Sequence, residues 1–315
     1  MATTEPDDSL AIRAVWLHYA GGLTQAAVAQ RLGIPSLKAH RLIARAVAEG
    51  ALKVTIDGDI VECLELEQRL AARFGLELCE IAPDLGETGL PLRALGTAGA
   101  SFLRREIEHG EHRVIGLGHG RTLAAAVRQL PRLEGKGVRF VSLLGGLTRN
   151  YAANPYDVMH RLAERTSAQA FVMPVPFFAN TAADRQVLLG QRGVREVFDM
   201  AEAATLKFAG IGTVDLSTQL VATGMIERAE IEETAAAGAV GELLGHFFDA
   251  AGALVETSLS RRALSVPLAP GNAGRVVAVA GGTEKVKAVT AILRSGRLSG
   301  LVTDEATARK ILGAG

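Results

Sequence analysis

The chain has 315 residues, with 34 Lys and Arg against 34 Asp and Glu, 48% hydrophobic and 4% aromatic residues. That length exceeds what one core usually serves, so two domains are expected, and the balanced charge excludes a general polyanion binder. No apolar run of roughly 18 residues occurs, and the opening Met-Ala-Thr-Thr-Glu-Pro-Asp-Asp is acidic and polar, so neither a signal peptide nor a transmembrane span is expected and the protein is placed in the cytoplasm. Cys63 and Cys79, the only cysteines, make no zinc set and no redox pair; no metal or cofactor is expected.

Residues 10–20 read as a first helix. Residues 24–33 and 36–49 read as two more, joined by a tight turn at Gly33 and started by Pro35-Ser36. Val28, Ala29 and Leu32 have the spacing of one inner face, and Leu37, Leu42, Ile43 and Val47 that of the other. Lys38, His40, Arg41 and Arg45 then remain for the outer surface. This is the layout of a helix-turn-helix whose second helix enters the DNA major groove, although a plain helical hairpin would share it. Between residues 10 and 53 there are six cations and one acid, whereas residues 54–82 hold seven acids and two cations. Phosphate attraction would therefore be confined to the head.

Residues 51–56 read as a short strand and residues 57–59 as a turn. Residues 61–74 read as a helix with Leu64, Leu66, Leu70 and Phe74 along one stripe. The stripe suits a linker helix packed on the next domain, or a self-association helix that spaces two DNA heads; the second is the reading taken here. Beyond residue 77, strands alternate with helices. Strands are expected at 77–81, 113–116, 138–144, 170–172, 206–211, 275–280 and 300–303. Helices are expected at 93–108, 122–129, 154–166, 181–191, 194–203, 236–246, 283–294 and 304–312. Such alternation implies an α/β fold with a largely parallel sheet, and ligands on such sheets bind beyond the carboxyl ends of the strands. The domains are set at 1–56 for the DNA-binding head and 57–315 for the linker helix with an effector and oligomerisation domain.

Four glycine-bearing loops end expected strands there. Gly118-His119-Gly120-Arg121-Thr122 joins a strand to a helix N-terminus, which would present free N–H groups to an anion, or would be only a tight turn. It lacks both the Walker ending and the dinucleotide spacing. Gly145-Gly146 with Asn150, the stretch Gly210-Ile211-Gly212-Thr213, and Gly281-Gly282 with Lys285 pair glycines with a hydroxyl, amide or cation. That equipment suits a polyhydroxylated molecule, phosphorylated or not. Asp249 could accept from sugar hydroxyls or serve as a turn residue. No metal spacing and no nucleophile elbow appear, and no catalytic residue is assigned.

The segment Leu23-Thr24-Gln25-x-x-Val28-Ala29-x-x-Leu32-Gly33-Ile34, with His40-Arg41-Leu42-Ile43, resembles the head of the SorC/DeoR-type sugar-responsive transcriptional regulators. Gly118 to Thr122, Ser142 to Gly146, Gly238 to Asp249, Ala280-Gly281-Gly282-x-x-Lys285 and Leu301 to Glu305 resemble that family's later landmarks. The resemblance implies a Rossmann-like effector domain similar to sugar-phosphate isomerases, in a homodimer or homotetramer, binding a double-stranded DNA operator without membrane contact. It also implies that the effector's phosphate meets Gly120, Arg121 and Thr122 while Lys285 faces the sugar. His119 replaces a small or tryptophan-type neighbour. Residues 149–154 and 174–181, containing Asn150, Asn180, Phe177 and Phe178, are similar to the branch controlling polyol, particularly erythritol, catabolism. The expected function is a regulator, of repressor type, of a carbohydrate or polyol operon. Its DNA-binding residues would be Thr24, Gln25, Ser36, Lys38, His40, Arg41 and Arg45. Its effector-binding residues would be Gly118, His119, Gly120, Arg121, Thr122, Gly145, Gly146, Asn150, Asn180, Asp249 and Lys285. The alternative is a sugar-phosphate isomerase-like enzyme with a fused head, for which only Asp249 and Glu242 can be nominated as acid or base.

Overall fold

A computed structural model describes residues 5–49, 51–52, 61–135, 137–146, 154–268 and 274–313. The chain divides into two compact units, residues 1–58 and 59–315.

In the first unit, helix α1 (Glu5–Val15) runs directly into a π-helical turn, Trp16–Ala20. It therefore starts five residues before the expected helix. Helix α2 (Gln25–Leu32) begins where the Thr24 hydroxyl accepts the Ala27 N–H at 3.2 Å, satisfying one orphan donor of the first turn. It ends at Gly33, whose φ of +64° is the left-handed region that glycine tolerates. Pro35 then opens helix α3 (Ser36–Ala48). The core joins Ala11, Ala14, Val15, Val28, Leu42, Ile43 and Ala46. One expectation fails here: Leu37 is 62% exposed and Val47 37%. The inner face of α3 is Ala39, Leu42, Ile43 and Ala46, and at 100° per residue this phase turns Leu37 to the opposite side. Of the expected strand at 51–56, Ala51 and Leu52 are not extended into a ladder. The rest of it, the turn at 57–59 and the boundary at 56/57 lie outside the described residues.

The second unit begins with helix α4 (Val61–Phe74), then strand β1 (Leu78–Ala82) and helix α5 (Leu92–His109). Strand β2 (Val114–Leu117), helix α6 (Arg121–Gln129), strand β3 (Arg139–Ser142), helix α7 (Met159–Thr166) and strand β4 (Gln169–Phe171) follow. Helices α8 (Ala182–Leu189) and α9 (Arg192–Glu202) lead to strands β5 (Leu206–Ala209) and β6 (Gly212–Thr213). After helices α10 (Gln219–Ala222) and α11 (Arg228–Ala236) come strands β7 (Ala239–Leu243), β8 (His246–Asp249) and β9 (Arg275–Val279). Helix α12 (Val286–Arg294), strand β10 (Gly300–Asp304) and helix α13 (Glu305–Gly313) close the unit. Seven strands form a wholly parallel sheet in the order β1-β10-β9-β5-β2-β3-β4. Fully buried runs such as Leu206–Ala209 and Gly300–Asp304 show that helices cover both faces.

Two expectations about this unit are corrected. Residues 236–246 do not form a helix: β7 and β8 make an antiparallel hairpin that β6 extends into a small second sheet. The spacing of Ala239, Leu243 and Phe247 imitates a helical stripe. The loop Leu244-Gly245, however, takes φ of +49° and +75°, a pair of left-handed residues that suits a two-residue hairpin turn and breaks any helix. Nor is the apolar stripe of α4 left for self-association. Cys63, Leu66 and Leu70 are buried in the unit's own core. Glu67 accepts the Ile81 N–H at 2.7 Å, and Arg73 donates to the Ile311 carbonyl at 3.2 Å, tying α4 to β1 and α13. Burial also raises the Cys63 thiol pKa and pushes that of Cys79 up to about 12, so both stay protonated and act as packing residues. Among the described residues no helix is long and apolar enough to cross a membrane.

Candidate functional site

On the head, the exposed side of α3 carries the cations named from sequence. His40 Nδ1 lies 3.0 Å from Gln25 Oε1, which holds the start of α2 beside the middle of α3. Ser36 and Arg41 are exposed, and Thr24 caps α2 with its side chain at the same end. Lys38 and Arg45 are already engaged. Lys38 Nζ lies 3.1 Å from Asp7 Oδ1, and Arg45 Nη2 lies 3.0 Å from Asp8 Oδ1 and 3.1 Å from the Asp7 carbonyl. These pairs sit in solvent and each is worth under ~1 kcal/mol, so a phosphate could replace the carboxylates.

In the second unit a cavity of about 120 Å³ opens beyond the carboxyl ends of β2 and β5. Strand β2 delivers the chain to Gly118, whose N–H donates to the Phe208 carbonyl at 2.9 Å. The chain then reverses at Gly120, where φ is +130°, and α6 starts with no side-chain cap. The helix N-terminus thus faces the cavity with its own N–H groups and the Arg121 guanidinium. The Thr122 hydroxyl is used inward, donating to the Val279 carbonyl at 3.0 Å. The ring of His119 meets Phe177 edge-on at 5.3 Å, and burial lowers its pKa to about 4, so it is neutral at physiological pH.

The opposite wall is the stretch Gly210–Thr213 and the excursion that follows it. Asp215 there accepts from the Ser217 N–H at 2.8 Å. Burial works to raise its pKa, but the bonds from Ser217 and Thr213 outweigh it and hold the carboxyl below its ordinary value. The hairpin contributes Glu242, 8% exposed, whose Oε1 accepts the Gly245 N–H at 2.6 Å. Burial pushes its pKa up to about 7, against the Gly245 bond and the Lys285 charge. Lys285 donates to the Ile211 carbonyl at 2.6 Å; burial, with Arg121 nearby, brings its pKa down to about 8. Asn154 completes the rim. Its Oδ1 accepts the Tyr156 N–H at 3.0 Å, while its buried Nδ2 has no partner among the described residues.

The structure thus gathers His119, Gly120, Arg121, Thr122 and Lys285 around one cavity. Other named residues stand elsewhere. Gly118 lies beneath the cavity, where an added Cβ would come within 3.3 Å of Leu244. Gly145 is pressed against Pro176, whose carbonyl oxygen would be 2.2 Å from such a Cβ, so Leu144 lines the cavity in place of Gly145 and Gly146. Asn180 is exposed, its carbonyl accepting from Arg262 at 3.5 Å. Asp249 is a turn residue, accepting the Ala251 and Ala253 N–H groups at 2.9 Å each. Asn150 lies outside the described residues. Both phenylalanines belong to the core, and Phe177 also reaches the cavity. Sequence reasoning missed Asn154 and Asp215, and considered Glu242 only as an acid or base of the isomerase alternative. The Asp215-x-Ser217 turn was a visible signal; Asn154 and Glu242 lay in the stretches 149–154 and 238–249 that carry the resemblance, without either being marked there as a site residue.

The family model described as "Putative sugar-binding domain" matches residues 58–313. The erythritol catabolism regulatory protein EryD of Brucella abortus is 64% identical over 98% of this chain and 98% of its own length. The transcriptional regulator LsrR of an Enterobacter species is 34% identical over 99% of this chain and 94% of its own. Among solved structures, the full-length sorbitol operon regulator SorC from Klebsiella pneumoniae superposes with a TM-score of 0.69 at 27% identity, over 98% of this chain and 100% of that one. These relatives are regulators and not enzymes, which removes the isomerase alternative. A head that precedes a parallel-sheet unit with a polar cavity at its carboxyl edge fits the same conclusion: the chain belongs to the SorC/DeoR-type family of transcriptional regulators with a sugar-binding domain.

Proposed function

We propose that this regulator represses a polyol catabolic operon in the cytoplasm and releases it when a small polyol such as erythritol enters the cavity. The observation that supports this most is the cavity itself, whose volume of about 120 Å³ is close to the ~150 Å³ that accommodates a six-atom ring. Its donors and acceptors (Asn154 Nδ2, the α6 N-terminus, Lys285, Asp215 and Glu242) match a chain of hydroxyls, and Phe177 offers a face to C–H groups. A phosphate on one end of the ligand would take the N-terminus of α6 between Gly120 and Arg121. The name of the 64% identical relative supports the choice of erythritol.

Double-stranded DNA would meet the head through Arg41 and His40 at base edges, with Thr24, Gln25, Ser36, Lys38 and Arg45 toward phosphates. Two heads in a homo-oligomer would read inverted half-sites. Calorimetric titration of the full chain with erythritol, other tetritols and pentitols, and their monophosphates tests the cavity. Expected is saturable binding of one of these together with weaker operator affinity in its presence. Equal indifference to all of them would refute the reading.

A further inference from the structure

Leu37 is the large apolar residue that α3 leaves most exposed, at 62% against 37% for Val47, while Ala39, Leu42, Ile43 and Ala46 form the buried face of the helix. Burying such a side chain favours folding, and the head forgoes that gain. The helix phase explains where it points. With Ala39, Leu42, Ile43 and Ala46 inward, Leu37, Arg41 and Ala44 fall at i, i+4 and i+7 on the outward side, and all three are exposed. His40 flanks this ridge on one side. Lys38 and Arg45 flank it on the other, where they hold Asp7 and Asp8. Leu37 is the second residue of α3, in the turn that goes deepest when a second helix of this kind enters the major groove.

We propose that Leu37, one turn of α3 before Arg41, is a specificity-determining residue that packs on the C5 methyl of a thymine. The inference rests on the reading of the head as a DNA-binding unit. The chemistry selects the partner: in the major groove each base edge offers donors or acceptors, and thymine alone adds an apolar methyl group. A leucine there would gain affinity for that methyl and would leave polar edges unsatisfied. Arg41 beside it would supply the polar half of the same readout. An alanine at position 44 keeps the ridge low enough for the helix to approach the bases.

The test uses the full chain and the DNA upstream of its own operon, with thymines replaced one at a time by deoxyuridine, which lacks only the methyl. Dissociation constants are measured at fixed salt for the wild type, Leu37→Ala and Leu37→Met. Expected is one thymine per half-site at which deoxyuridine weakens the wild type about fourfold, the value of one apolar carbon. Leu37→Ala should lose that sensitivity and Leu37→Met should keep most of it, with circular dichroism unchanged in both. A wild type indifferent to every replacement, or a Leu37→Ala profile identical to the wild type, overturns the proposal. A Leu37→Ala protein that changes oligomeric state while keeping its methyl sensitivity assigns the residue to a protein contact and also overturns it. A wild type that binds no operator at all refutes the DNA reading itself.

Discussion

The two units present their polar residues in different ways. The head's candidates span Thr24 to Arg45 on two adjoining helices, and their common surface follows from helix period and one glycine turn. The cavity's residues span Asn154, His119, Asp215, Glu242 and Lys285, drawn from distant points of the chain by strand order. The head is a surface whose charges remain solvated and exchangeable. The cavity is an enclosure in which burial favours the uncharged form of a histidine, a glutamate and a lysine, lowering the first to about 4, raising the second to about 7 and lowering the third to about 8. Substitutions in the two units should therefore differ in kind, through salt-dependent affinity in one and through stability, pH and ligand response in the other.

The largest effect is expected where α4 is part of the second unit's core. Leu66→Glu with Leu70→Glu would bury two unpaired carboxylates and cost several kcal/mol, so chemical denaturation should find little folded second unit. A well-folded monomer would restore the self-association reading of α4.

Next, Lys285→Met should abolish the ligand's effect on operator affinity, a coupling of roughly 1–3 kcal/mol, while affinity without ligand stays close to wild type. Arg41→Ala should show the converse pattern. Operator binding would weaken by about 1–3 kcal/mol with relaxed preference at one base pair, and ligand binding would be unaltered. Mobility-shift assays with and without erythritol separate the two outcomes.

Glu242 sets a pH signature of the enclosure. Its native pKa is raised to about 7 from 4.5, so between those values the native state binds the extra proton and stability falls as pH rises. Glu242→Gln should flatten that decline, worth up to ~3 kcal/mol, in denaturation curves taken from pH 5 to 7.5. An unchanged slope would remove Glu242 from the interior electrostatics.

The smallest change belongs to the head. Asp7→Asn with Asp8→Asn removes the carboxylates that face Lys38 and Arg45 and should tighten operator binding by under ~1 kcal/mol, with a gain that shrinks as salt is raised. Weaker binding would mean that the acids orient those cations for DNA.

Much of this was legible in the chain. The alternation of strands and helices after residue 77 announced a parallel sheet, because each strand and helix carries its own period, and Gly33 and Pro35 marked the turn between α2 and α3. The loop Gly118–Thr122 was recognisable as a strand-to-helix turn, and Lys285 as the cation of a late glycine loop. Residues 236–246 were not legible as a hairpin, since the same apolar spacing serves both periods and the left-handed pair at Leu244-Gly245 decides between them. Leu37 was misassigned because one apolar residue at the start of a helix cannot set the phase that four inner residues impose together.

The sequence by itself determined local matters: helix starts, the glycine turns, the cationic face of α3 and the alternation that makes an α/β unit. These depend on residues within one or two turns of each other. Only the tertiary structure decided which polar groups share the cavity, and that Gly145, Asn180 and Asp249 are excluded from it. It alone raised Glu242 and lowered Lys285 and His119, because desolvation depends on every element packed around a group and not on its neighbours in the chain.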